Sequence, residues 1–295
     1  MGGVNRTENA PVLVTGATGR VGRVVIDRLL DAGVPVRALT RRPRTVTRLP
    51  AQVEVHTGDL AAPETLDAAL NGTRAVFLVW TAPPRTAAAV VERLGAHTRR
   101  VVLLSSPHRT PHPLFQQPNP MAALHAEIER LIAAAGLEST IIRPGMFASN
   151  SLAWWAPTIR AGHAVQWPFG AAASAPVDDR DIAAVAARTL HQDGHVGGDY
   201  VLTGPASLTH AEQVDILGDV LGRRIAFEEL TPDEFRHQWE GTVPRPAVDM
   251  LLAAWNAAVG QPAYTTSTVA DILGTAPRTF RQWATDHSSA FARYA

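Results

Sequence analysis

Apolar residues in the first half of the chain come in short runs separated by amphipathic stretches. Runs at 12–15, 34–39, 53–56, 75–80, 101–106 and 139–142 predict strands. Between them, 20–32 sets Val21, Val25, Ile26 and Leu29 at helical core spacing, with Gly33 as the stop. Helices are also predicted over 63–70, with Pro63 in the first turn, over 85–97, and over 120–135, ended by Gly136. The 75–80 run is apolar throughout, which predicts burial on both faces. Strand alternating with helix predicts an α/β fold, a Rossmann-type doubly wound parallel sheet with right-handed crossovers.

After about residue 150 helical patterns take over. Thr209-His-Ala-Glu212 and Thr231-Pro-Asp-Glu234 are capping boxes. Helices are predicted over 249–259, 269–273 and 279–286, and short strands near 176–177 and 199–203 return to the sheet edge. The expected division is an α/β domain over 10–150 and a smaller, mostly helical C-terminal lobe over 151–295. That lobe is expected above the C-terminal ends of the strands, where ligands sit in open α/β sheets. The Pro-rich stretch 108–120 is expected as a loop, because a sheet helix resumes after it.

The first strand-to-helix junction reads G-A-T-G-R-V-G from Gly16 to Gly22. Gly16 suits a sharp turn, Gly19 a close approach of backbone to phosphate, and Gly22 close packing of helix on strand. A helix starting there aims its free N–H groups and its dipole at an anion. The placement predicts a dinucleotide site. The second strand ends Thr40-Arg41-Arg42-Pro43, where an NAD site usually has an acid for the ribose 2′-OH. Guanidinium groups suit a 2′-phosphate instead, which favours NADP(H). The competing reading makes Arg41, Arg42 and Arg44 ordinary surface charges. Asp59 is placed equally well to meet the adenine or to cap the next helix.

Acidic and basic residues balance at 27 each, so no basic field argues for nucleic acid. There is no cysteine, which excludes disulfides, thiolate catalysis and Cys-ligated zinc. Nothing approaches the ~18 apolar residues of a membrane span, and the polar N-terminus lacks an apolar signal core. A cytoplasmic location and a small-molecule partner are the expectations. His108 and His112 form H-x-x-x-H in a proline-broken loop, so no metal site is expected. Asp178, Asp179 and Asp181 read as the start of a helix, and no Ser-His-Asp triad is legible.

The glycine motif, T-R-R-P after the second strand, G-D-L (58–60) after the third and R-P-G-M-F (143–147) after the sixth resemble the NmrA-like branch of the atypical short-chain dehydrogenase/reductases. The resemblance covers nearly the whole chain. It implies an NADP(H)-binding Rossmann domain and a substrate lobe, with a cofactor set of Gly16, Thr18, Gly19, Arg20, Val21, Arg41, Arg42, Asp59 and Leu60. It places Val79, Trp80, Thr81, Ser105 and Ser106 nearer the ribose and nicotinamide. Branch members include quinone, isoflavone and iminium reductases, and regulators that bind dinucleotide without turnover.

Short-chain dehydrogenases of the usual type use Tyr-x-x-x-Lys on the helix after the fifth strand, both side chains on one face. This chain has no lysine, and its first tyrosine is Tyr200. The matching helical face shows Met121 and His125, then Glu129. Two readings of His125 compete: proton donor to the substrate, or a half-buried residue bonded to Glu129 at i,i+4. A third route needs no acid, because hydride addition to an iminium or quinone builds little charge. Met146, Phe147 and Asn150 follow the sixth strand and are expected near the nicotinamide. Trp154, Trp155, Trp167 and Phe169 come next, either walling a flat apolar substrate or filling the core. The function this predicts is an NADPH-dependent reductase of a flat apolar quinone, enone or imine. The alternatives are an NADP(H)-sensing module and a non-redox isomerase or cyclase.

Overall fold

The computed structural model describes residues 10–42 and 49–292; Pro43, Arg44 and the other terminal and loop residues lie outside them. In chain order the elements are β1 (Val12–Val14), α1 (Arg20–Asp31), β2 (Val36–Thr40), β3 (Glu54–Thr57), α2 (Asp67–Leu70), β4 (Ala75–Val79), α3 (Ala87–His97), β5 (Arg100–Leu104), α4 (Pro120–Ala134) and β6 (Glu138–Pro144). There follow α5 (Asn150–Trp154), α6 (Ala156–Arg160), β7 (Val165–Pro168), β8 (Ala173–Ser174), α7 (Asp179–His191), β9 (Asp199–Leu202), β10 (Leu208–Thr209) and α8 (His210–Val220). The last are β11 (Phe227–Leu230), α9 (Pro232–Gln238), α10 (Arg245–Ala258), α11 (Thr268–Leu273) and α12 (Phe280–Asp286).

Seven strands form one sheet in the order β3-β2-β1-β4-β5-β6-β9. The registered neighbours from β3 to β6 are all parallel. The order reverses direction at β1, the switch point at which doubly wound sheets bind ligands. Successive side chains on a strand face opposite ways. Leu13, Val76, Leu78, Val101 and Leu103 accordingly share a buried cluster with Leu70, Val90, Leu94, Ile128 and Ile132 of the helices α2, α3 and α4. On α1 the buried residues are Val21, Gly22, Val25, Ile26 and Leu29, and this helix packs beside α7. Its end is set by Gly33 at φ +73°, a left-handed stop that glycine adopts freely.

The chain gathers into two compact units that interleave along the sequence. The first runs to Ser106 and takes back Met121–Arg143 and Asp179–Tyr200; the second comprises Pro107–Pro120, Pro144–Asp178 and Val201–Ala295. The single division expected at 150/151 therefore meets a more broken pattern. Helix α7 joins the first unit because nine of its residues are buried, too many for a lobe surface.

In the second unit the two anticipated capping boxes form, and Thr279 with Gln282 makes a third. The expected strand at 176–177 is a lone bridge from Phe147 to Val177. The pairs β7–β11 and β8–β10 were not anticipated from the sequence. The core is aromatic: Trp155, Trp167, Trp255 and Phe235 are buried, with Trp154 and Trp239 against them.

His210 sits among these rings, 2% exposed, edge-on to Trp155 and Trp255. Burial pushes its pKa down to about 4 against the hydrogen bonds it makes to the backbone at Pro168 and Phe169, so the imidazole is neutral near pH 7. Between pH ~6.5, the unfolded value, and about 4 the unfolded chain binds a proton that the folded chain refuses. This contribution is intact above pH ~6.5 and lost as pH falls, by about 3 kcal/mol in all. Urea unfolding across this window is expected to show that loss, with a flatter slope in His210→Gln. An unchanged slope in the variant would assign the loss to other groups.

Candidate active site

The exit of β1 is built without side chains. Gly16 has φ +61°, and a Cβ added at Gly22 would stand 2.3 Å from the Gly16 carbonyl oxygen. At Gly19 the same atom would be 3.1 Å away. The Gly19 N–H donates to the Gly16 carbonyl at 2.8 Å, closing the turn. Helix α1 then starts with no side-chain cap and no acid in its first turn, so its dipole and first N–H groups face an anion without a competing carboxylate. Thr15 ties this exit to β4: its hydroxyl donates to the Phe77 carbonyl at 3.1 Å and accepts the Val79 N–H at 2.7 Å.

A groove of about 740 Å³ opens over this junction. Of the expected cofactor set, Gly16, Thr18, Gly19, Arg41, Arg42, Asp59, Leu60, Val79 and Thr81 line it together. Thr15, Arg23, Leu39, Thr40, Leu49 and Gly58 also line it and were missed. Arg23 is held by donating from Nε to the Thr18 carbonyl at 3.0 Å; an arginine one turn into a phosphate-facing helix was the available signal. Asp59 lines the groove, and its Oδ1 accepts the Ala61 N–H at 2.9 Å; this is a turn within the loop and not the expected helix cap, because the helical turn at Pro63–Thr65 has no side-chain cap.

Arg20, Val21, Trp80, Ser105 and Ser106 are absent from that lining. Val21 is turned into the helix packing, 7% exposed. Trp80 is buried and donates from Nε1 to the Ala82 carbonyl at 2.7 Å, holding its own turn. The Ser105 hydroxyl is buried and donates to Glu129 at 2.5 Å. The Ser106 carbonyl accepts from Arg143 at 3.0 Å.

Arg143 organises this corner of the first unit. It is 1% exposed on β6. It donates to both oxygens of Glu129 on α4 (2.7 and 2.8 Å) and both of Asp199 on β9 (2.5 and 3.0 Å). Burial opposes its charge, but the hydrogen bonds and charges of these two carboxylates more than offset it and raise its pKa. Nothing in the sequence reading singled Arg143 out beyond the R-P-G-M-F motif.

Met121 and His125 lie on α4, with Met121 46% exposed and His125 half-buried. Glu129, the proposed alternative partner of His125, has its carboxylate engaged by Arg143 and Ser105.

In the second unit the backbone at Met146 to Ala148 is pinned to Val177 by two bonds of 2.9 Å, and Asn150 begins α5. Trp154 stays half-buried. Trp155 and Trp167 do not form a pocket wall: they are 1% and 2% exposed and belong to the core. Strand alternation explains Trp167, since Gln166 takes the outward position on β7. His112 uses both ring nitrogens on backbone, accepting from Leu114 and facing the Pro262 carbonyl at 3.0 Å. Asp178 is buried against Arg278 at 2.7 Å, a structural ion pair.

The fold and this groove define a dinucleotide-binding α/β protein. A family model described as NAD(P)H-binding matches residues 16–193, and the chain belongs to that family. It is 39% identical over 290 residues to the (4-alkanoyl-5-oxo-2,5-dihydrofuran-3-yl)methyl phosphate reductase of Streptomyces griseus subsp. griseus, covering 95% of this chain and 99% of that protein. The structure of NADPH-dependent quinone oxidoreductase from Escherichia coli complexed with NADPH superimposes with a TM-score of 0.80 at 25% identity, over 93% and 99% of the two chains. A mutant NmrA aligns with a TM-score of 0.75 at 18% identity, over 96% and 97%. The chain is an NAD(P)H-dependent oxidoreductase on the NmrA-like fold. No helix among the described residues is long and apolar enough to cross a membrane.

The crossing of α1 over β1 is testable. Gly22→Ala is expected to destabilise the fold by about 1–3 kcal/mol through overpacking and to weaken NADPH binding at least ~10-fold in a fluorescence titration. Gly33→Ala, whose Cβ meets open space, is expected to cost about 1 kcal/mol through its backbone while NADPH affinity stays unchanged. Equal effects on affinity would disprove the role given to Gly22.

Arg143→Met leaves the nearly buried Glu129 carboxylate without its partner, while Asp199 keeps its solvent exposure, and is expected to lose about 3 kcal/mol. Arg143→Lys should lose less, keeping the charge without the planar fork. Urea midpoints measure both, and small equal losses would show that the network carries little weight.

Proposed function

We propose that this chain uses NADPH to reduce the conjugated carbon–carbon double bond of a butenolide, a 4-alkanoyl-5-oxo-2,5-dihydrofuran. The observation that carries this reading is the likeness, along nearly the whole length, to the Streptomyces griseus reductase named for such a phosphate ester. The groove supports the nucleotide. Its glycine cradle leaves room for a pyrophosphate, and Arg41 and Arg42 at the exit of β2 suit a 2′-phosphate through charge and a planar donor fork.

NADPH held in this groove would supply a hydride to the ring carbon bearing the hydroxymethyl phosphate, and the opened double bond would take its proton at the carbon between the two carbonyls. In the transition state the charge spreads over the ketone and lactone oxygens. A donor as strong as a Tyr–Lys pair is then unnecessary, which fits a chain with no lysine. His125 is assigned as the proton source. Histidine is a common general acid, and the helix carrying His125 is anchored one turn later through Glu129.

NADPH oxidation with a 4-alkanoyl butenolide phosphate, menadione and a cyclic imine tests the reading. The butenolide is expected to give the highest kcat/KM. NADPH should be preferred to NADH by about 100-fold, consistent with charged hydrogen bonds of about 1.5–3 kcal/mol, and Arg41→Ala/Arg42→Ala should bring this within tenfold. His125→Ala should lower kcat by about tenfold, below full general-acid catalysis, with NADPH affinity unchanged. A higher kcat/KM on menadione or the imine would reject the butenolide assignment.

A further inference from the structure

The turn between β7 and β8 carries an unusual backbone. Phe169 has φ +52° and is the only non-glycine with positive φ among the described residues. In that region Cβ crowds the following carbonyl, so a bulky side chain there is an outlier. The neighbouring glycine does not relieve it. A Cβ at Gly170 would stand 2.8 Å from Phe227 Cε1 and 3.0 Å from Glu229 Oε2, so these two side chains would have to shift to admit one.

The turn is held from several sides. The Ala172 N–H donates to the Phe169 carbonyl at 2.9 Å, and the Ala211 N–H to the Gly170 carbonyl at 3.1 Å. The His210 N–H donates to the Ala172 carbonyl at 3.1 Å, and the buried His210 ring lies 3.3 Å from the Pro168 carbonyl through Nδ1. Strain of this kind persists where the surroundings over-determine it, and it gathers at ligand clamps.

The ring itself is half-buried against the aromatic core. Trp154, Trp155, Trp167, Trp255 and Phe235 each pair with several rings. Phe169 pairs with none among the described residues. A glycine at 169 would satisfy the turn without strain, so the position keeps a ring at the expense of backbone comfort.

We propose that Phe169 is a stacking ring that selects flat conjugated acceptors, an inference resting on the reading of this chain as a reductase of such molecules. Its half-buried ring is apolar and electron-rich and pairs with no other ring among the described residues, and a planar acceptor supplies the missing stack.

The test compares Phe169→Ala, Phe169→Gly and Phe169→Tyr in the NADP⁺-loaded protein. Menadione Kd is read by tryptophan quenching, and butenolide KM by NADPH oxidation. Alanine keeps the strain and glycine releases it, so the Tm of Phe169→Gly should exceed that of Phe169→Ala by about 2 °C. Both should weaken menadione binding by roughly fivefold to tenfold, the range of an aromatic pair, and Phe169→Tyr should stay within twofold of wild type. Values within twofold for all three variants overturn the proposal. So does a loss that follows Tm, with alanine much worse than glycine, or wild-type protein that binds no menadione. Failure of butenolide turnover alone strikes the substrate reading and leaves the menadione result to decide Phe169.

Discussion

The first unit depends on two stretches of backbone lying closer than any side chain permits. Helix α1 crosses the exit of β1 with the Gly16 carbonyl where a Gly22 Cβ would have to be. Three consequences follow from that contact. The helix starts directly over the strand end, so its uncapped first turn faces the groove. Its apolar stripe of Val21, Val25, Ile26 and Leu29 reaches the sheet. The Thr15 hydroxyl, at the same exit, can bond both the Phe77 carbonyl and the Val79 N–H of the adjacent strand. Extra volume forced into a packed interior costs about 1–3 kcal/mol, as much as one or two hydrogen bonds contribute, so the glycine matters as much as any one polar contact in the groove.

The Arg143 network is a different kind of constraint. Desolvating a guanidinium and the Glu129 carboxylate is expensive, and apolar replacement of a buried ion pair is often neutral or stabilising. The network is therefore weak evidence for stability and better evidence for geometry. One planar fork joins the exit of β5 through Ser106, the helix α4 through Glu129 and the edge strand β9 through Asp199. Those elements are distant in sequence, and apolar contacts alone would let them slide. The Ser105 hydroxyl, bonded to Glu129, is part of the same brace.

The parallel sheet was legible because its central strands are apolar on both faces, and burial bears this out for β4. The groove was legible where it rests on backbone freedom and on the exit of β2. The strands β7, β8, β10 and β11 run two to four residues and escaped because they lie outside the strand–helix alternation that marked the equally short β1 and β3. Trp155 and Trp167 were ambiguous for a chemical reason: a tryptophan looks the same in sequence whether it fills a core or walls a pocket. Arg143 showed only a lone charge ending an apolar run. Its meaning lies in partners 14 and 56 residues away, which no local pattern reveals. Phe169 showed only as one of four aromatics open to a pocket or a core role, since backbone strain has no sequence signature until the φ angle is seen.

The absence of lysine bears on chemistry as well as on charge. General acid catalysis contributes about 10²–10⁴ in rate, roughly 3–5 kcal/mol, and a chain without the Tyr–Lys pair must find that elsewhere or not need it. A simple ketone leaves a localised alkoxide and needs the proton early. An alkene flanked by two carbonyls delocalises the same charge over two oxygens, so the substrate carries part of what the dyad would supply. The burden on the protein then shifts from proton delivery to holding a planar acceptor in line with the hydride. Rigid supports serve that purpose better than a perturbed acid. The buried fork at α4 is a support of that rigid kind within the first unit.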